Sequence, residues 1–127
     1  MKHQPCFCRL LLCALFLCLA MYCGQASAAE DSAVRTGKCT IVSGNHTYSP
    51  SDCLIKKGMD ENLSWLIIER KDGRPLLEEI LLISVTETTP GTAEVSGLTK
   101  DGINSRWGEA RFDGRCWSGD DFRICTD

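Results

Sequence analysis

Apolar and polar positions along most of this chain read as short strands separated by Gly, Pro, Asn and Asp turns, and the clearest case closes the sequence. In the stretch from Gly114 to Asp127, a turn centred on Asp120-Asp121 and preceded by Gly119 pairs position 119 with 122, 118 with 123, 117 with 124 and 116 with 125. Side chains alternate across a strand, so this register puts Trp117, Phe122 and Ile124 on one face and Cys116, Ser118, Arg123 and Cys125 on the other. One face is core, the other is wet, and the two cysteines meet.

The same reading applied in chain order predicts a strand over 38–43, a short one at 46–48 after the Gly44-Asn45 turn, and a third from Cys53 to Lys56 after Ser49-Pro50-Ser51-Asp52. Gly58 to Asn62 reads as loop. Leu63 to Arg70 is mostly apolar without clean alternation, as in a central strand covered on both sides. Asp72-Gly73 marks a turn. Over 75–89 two patterns compete. Pro75 at a first helical position, Glu78 and Glu79 in a first turn and Leu76, Leu77, Ile80 and Leu81 at helical spacing suit one short helix. The compact run from Ile80 to Val85, followed by Thr and Glu, favours strand, and the strand is taken from about Glu79. Pro90-Gly91 turns the chain. Thr92 to Leu98 alternates Ala93, Val95 and Gly97 against Glu94, Ser96 and Leu98. Lys100-Asp101-Gly102 turns it again into a strand over 105–112, and Asp113-Gly114 leads into the closing hairpin.

The start of the chain differs in kind. Lys2 and Arg9 flank the beginning of an apolar run from Leu10 to Cys23, and Ala26-Ser27-Ala28-Ala29 follows, which predicts a secretory signal peptide over 1–28 with cleavage after Ala28. As a helix this run rises only about 21 Å against a hydrocarbon core of about 30 Å, so it is too short to span a membrane. Residues 29–36 then form a polar, flexible leader, and 37–127 a single β-rich domain. After cleavage, twelve Lys and Arg face seventeen Asp and Glu, a formal charge of −5, which argues against nucleic acid as a partner. Four of the nine cysteines remain, Cys39, Cys53, Cys116 and Cys125. In an exported domain they predict two disulfides. The hairpin favours Cys116 with Cys125 and leaves Cys39 with Cys53, closing a short local loop. A four-thiolate zinc site would need closer pairs than separations of 14 and 9.

Taken together, Gly37-Lys38-Cys39-Thr40-Ile41, Tyr48, Asp52-Cys53, Gly91-Thr92-Ala93-Glu94, Trp107-Gly108, Asp113-Gly114-Arg115-Cys116-Trp117 and Arg123-Ile124-Cys125 resemble a group of small exported proteobacterial proteins of uncharacterised function. The likeness spans nearly all of the chain beyond the signal peptide. It implies an all-β, two-disulfide domain in the cell envelope or outside it, and it implies no activity. Gly73 to Ser84 is longer and more apolar than the pattern leads one to expect.

Candidate chemistry is sparse. His46, the only histidine past residue 28, follows a turn and has no free thiol to activate. Asp120-Asp121 falls short of the six to eight oxygens a calcium ion takes. Glu78-Glu79 and Asp60-Glu61 are adjacent pairs, which a strand points to opposite faces, so neither forms a natural catalytic dyad. The nucleophile-elbow pattern Gly-x-Ser-x-Gly does not occur. Arginine and tryptophan, the residues enriched at binding hot spots, concentrate instead near the end: Arg106, Trp107, Arg111, Arg115, Trp117 and Arg123. Large aromatics in small domains are generally buried, so the tryptophans are also core candidates and the arginines rim charges beside Glu109 and Asp113. Alternation puts Trp107 and Arg111 on one face and Arg106 on the other.

These patterns predict an all-β fold, a small antiparallel sandwich or barrel-like roll with two local disulfides and room for one short helix. They point to a periplasmic or secreted, non-enzymatic binding protein without cofactor or metal, with a protein partner. Trp107, Arg111, Arg106 and Arg115 are its candidate binding residues. The alternative is an inhibitor or immunity protein against a secreted hydrolase, an acidic inhibitor being steered to a basic enzyme. Less favoured are a glycan-binding subunit, which would expose a Trp beside a polar pocket, and a small hydrolase using carboxylates that folding brings together.

Overall fold

The computed structural model describes residues 32–127, apart from the side chains of residues 104–106. The expected signal peptide and the first residues of the leader lie outside the described residues. The described chain is all-β, with ten strands: β1 (Ala33–Gly37), β2 (Cys39–Ser43), β3 (His46–Tyr48), β4 (Cys53–Asp60), β5 (Leu63–Arg70), β6 (Leu82–Thr89), β7 (Thr92–Thr99), β8 (Gly102–Phe112), β9 (Cys116–Ser118) and β10 (Phe122–Thr126). All belong to one antiparallel sheet in the order β1-β4-β5-β6-β7-β8-β9-β10-β2-β3, curled into a half-barrel. Of the expected architectures this is the barrel-like roll.

A period-two pattern gives a strand one apolar face, and here the registers line those faces up across the curl. Ile55 stands opposite Ile68, Ile68 opposite Ile83, Leu66 opposite Val85 and Val85 opposite Val95. At the other end of the sheet Trp117 and Ile41 flank Ile124. These side chains form one buried cluster on the concave face.

The segment from Leu76 to Ile80, where one short helix competed with a strand taken from about Glu79, is neither. The Leu76 and Leu77 N–H groups donate to the Ile80 carbonyl, and the Ile80 N–H donates back to Leu77 at 2.8 Å, which makes a tight loop with Glu78 and Glu79 exposed at its tip. Leu76, Leu77 and Ile80 are buried and belong to the core cluster, so the loop acts as a plug. It fits because Gly97 has no side chain: a Cβ there would lie 2.9 Å from Ile80 Cδ1. The apolar spacing that suggested a helix is the spacing of a loop that buries its leucines. Strand β6 therefore starts only at Leu82, and the described residues contain no helix.

Two boundaries also differ. Residues 33–36, expected within the flexible leader, join Gly37 in an edge strand paired with β4. Gly58 to Asp60, expected as loop, continues β4 opposite Trp65, Ser64 and Leu63, and only Glu61 and Asn62 turn, both with positive φ.

The disulfides are Cys39–Cys53 and Cys116–Cys125, the expected pairs. The second staples the closing hairpin in the predicted register, Cys125 opposite Cys116 and Ile124 opposite Trp117. The first, although local in sequence, joins the two halves of the curled sheet. Strands β1 and β2 are separated by Lys38 alone, yet β1 pairs with β4 near one end of the sheet and β2 with β10 near the other.

Candidate functional site

At the ends of β5 and β6 away from the plug, the concave face opens into a cleft of about 670 Å³. Its floor is Leu66, Trp117 and Ile124; its walls include Ala33, Lys57 and Met59 on one side and Phe112 and Arg115 on the other. Cys53 and Ile55 are core residues, and alternation along β4 carries the same face on to Lys57 and Met59. There the core runs out and the side chains become the lip of the cleft. Met59 is 56% exposed and Phe112 46% exposed, although both belong to concave-facing positions. Phe112 packs on Trp117, opposite it across β8 and β9, with ring centroids 5.0 Å apart.

The Asp-Gly-x-Cys-Trp stretch builds one wall. Asp113 Oδ1 accepts from the Arg115 N–H at 3.0 Å and the Cys116 N–H at 2.8 Å, and its other oxygen accepts from Arg123 at 2.9 Å. Gly114 supplies the positive φ of 94° that the turn needs. This turn sets Arg115 on the lip and starts β9, which lays Trp117 on the floor. The amide donors of Cys116 and Arg115, and after them the charge of Arg123, hold the Asp113 carboxyl below the usual carboxylate range.

Among the described residues Glu87 is the one carboxylate lining the cleft. It is fully engaged: the Gly91 N–H donates to Oε1 at 2.9 Å, and the Ser64 N–H and hydroxyl donate to Oε2 at 2.6 and 2.7 Å. Those donors, Gly91 foremost, hold its carboxyl below the usual range. Lys57 is shifted the other way in charge terms. Burial, and then the positive charge of Arg35, push its ammonium below the usual lysine range.

The residues singled out from sequence are dispersed. Trp107 is buried in the core, edge-on to Phe122 at 5.4 Å. Arg111 stands on the convex face beside Glu109, at 4.0 Å. The two do not share a face because Gly108 has φ of 82° and the β7–β8 register shifts beside it, which reverses the alternation between Trp107 and Ala110. The side chain of Arg106 lies outside those described. Arg115 does line the cleft, with Trp117, the residue assigned to the core. Lys57, Met59, Phe112 and Glu87 were missed. The available signal was the phase of β4, which places a lysine and a methionine on the same face as Cys53 and Ile55.

His46 is exposed, and no three His, Cys, Asp or Glu side chains among the described residues are grouped to hold a metal. Trp65, seated against Gly58, borders both the cleft and a shallow groove that it shares with Asp60, Glu61, Ile67, Ser84 and Thr86. Compared with protein-family models, curated proteins and solved structures, the chain matches none.

Proposed function

We propose that this chain is an exported, non-enzymatic binding protein of the cell envelope, periplasmic or secreted, that takes its ligand in the cleft of the half-barrel. The observation that carries the reading is the pair of apolar side chains, Met59 and Phe112, left exposed on facing lips above an apolar floor. Covering them removes apolar surface from water at about 25 cal/mol per Å², a gain unavailable to the free protein. Two disulfides suit an oxidising compartment. Glu87, with both oxygens saturated, is poorly placed to carry a proton to or from a substrate. The test is affinity capture from the envelope fraction with the wild-type protein and with a Met59→Asp/Phe112→Asp variant whose fold is checked by circular dichroism. A component retained only by the wild type supports the cleft; equal retention on both columns refutes it.

The inhibitor reading draws on the opposite face. Glu94 and Glu109 stand directly across β7 and β8 from one another, both exposed. Like charges so placed cost stability, and a basic partner would relieve them. This reading predicts binding of a basic secreted hydrolase that Glu94→Gln/Glu109→Gln weakens, and it fails if no such enzyme binds.

A further inference from the structure

The cleft has a charge of its own, opposite to that of the domain around it. The chain beyond the expected signal peptide carries a formal −5, yet the two lips present Lys57 and Arg115, and Arg35 stands close enough to Lys57 to perturb it. Among the described residues none of the three cations has a carboxylate within ion-pair distance, whereas Arg70, Arg74, Arg123 and Lys56 all do. The one carboxylate present, Glu87, keeps its charge, but both its oxygens are taken up by three hydrogen-bond donors and it pairs with none of the three cations. Arg35 and Lys57 share a face of neighbouring strands, two positions apart in register, and both are exposed; their repulsion is unfavourable to the free protein, and an anion placed between the lips would relieve it. Below that level the surface is apolar: Leu66, Trp117 and Ile124, with Met59 and Phe112 exposed on the lips above them. A volume of about 670 Å³ lies inside the range of about 300–1,000 Å³ that small-molecule sites occupy.

We infer that the ligand of the cleft is a single-chain amphiphile, an alkyl chain ending in one anionic group, with the chain along Leu66, Trp117 and Ile124 and the anion between Lys57 and Arg115. This rests on the cleft being the binding site and names what it takes. A carboxylate, phosphate or sulfate head meets the same two cations, with Arg115 able to grip two of its oxygens at once.

The experiment titrates the purified protein, both disulfides formed, with dodecanoate, dodecyl phosphate and dodecyltrimethylammonium below their micellar concentrations, reading heat and tryptophan emission. The anions are expected to bind one to one and the cation about tenfold more weakly or worse, and Lys57→Glu/Arg115→Glu to weaken the anions by about tenfold or more at an unchanged melting temperature. The two anions separate a fatty-acid from a phosphate preference. Equal binding of cation and anion, or an unchanged anion affinity in the double variant, overturns the inference. If no amphiphile binds while capture still depends on Met59 and Phe112, this inference falls and the cleft stands as the binding site. If the anions bind equally well to Met59→Asp/Phe112→Asp, the cleft itself is wrong and both fall.

Discussion

Gly58 sits in the interior of β4, where a glycine ordinarily weakens a strand. Its reason is Trp65, directly opposite on β5: a Cβ at Gly58 would collide with the indole, so the missing side chain is the seat on which the ring lies. Gly58→Ala should therefore lower stability by about 1–3 kcal/mol through forced displacement of that ring, read as a shifted urea midpoint together with altered tryptophan emission. A neutral substitution would mean that Trp65 moves freely. Glu87 gives a pH dependence whose sign is fixed. Its folded-state pKa is depressed by the Gly91 and Ser64 donors, so its contribution is complete above the unfolded value of about 4.3 and is lost as pH falls through the lower folded value. The stability difference between wild type and Glu87→Gln should shrink on acidification from about pH 6 to about pH 3. Asp113 and Asp72 act with the same sign, so the difference, rather than the wild-type curve, isolates Glu87.

Where one strand meets the next through a tight turn, register follows from turn chemistry and alternation together, and the closing hairpin was legible for that reason. Cys116 opposite Cys125 and Trp117 opposite Ile124 need no information from elsewhere in the chain. Alternation misleads where a single backbone angle changes its phase. Gly108, at φ of 82°, turns Trp107 inward and Arg111 outward, and a glycine in sequence does not announce which angle it will take. The plug was illegible for another reason: Leu76, Leu77 and Ile80 satisfy helical spacing, but what they fill is the space over Gly97, which only the folded sheet creates. Ile80 is 2% exposed, so Ile80→Ala should cost about 2–5 kcal/mol by transfer and cavity terms, measurable by chemical denaturation. A cost below about 1 kcal/mol would show that the loop is not part of the core.

At the scale of the whole molecule, the curl depends on one seam that the order of strands in sequence conceals. A single residue, Lys38, carries the chain from β1, paired with β4, to β2, paired with β10, and Cys39–Cys53 bridges the same junction. The two disulfides close loops of similar length, so chain entropy assigns each about 2–4 kcal/mol and does not distinguish them. Their structural consequences differ. Cys116–Cys125 joins neighbouring strands already held by hydrogen bonds, and its removal should lower stability without moving any element. Cys39–Cys53 joins elements that share no ladder, since β2 and β4 lie apart in the sheet. Replacing Cys39 and Cys53 by alanine should therefore let β1 part from the seam in addition to lowering stability. Amide exchange reads this directly: the β1 amides should lose protection in Cys39→Ala/Cys53→Ala and keep it in Cys116→Ala/Cys125→Ala, compared at conditions of equal global stability. Equal protection of β1 in the two variants would mean that its pairing with β4 holds the curl unaided. Under the binding role proposed for the cleft the distinction reaches the ligand, because Ala33 of β1 and Lys57 of β4 form one wall while Trp117 and Ile124 form the floor against the other half of the sheet. Loss of the seam disulfide should then weaken cleft-dependent capture at temperatures where the protein is still folded, and loss of the hairpin disulfide should leave it intact.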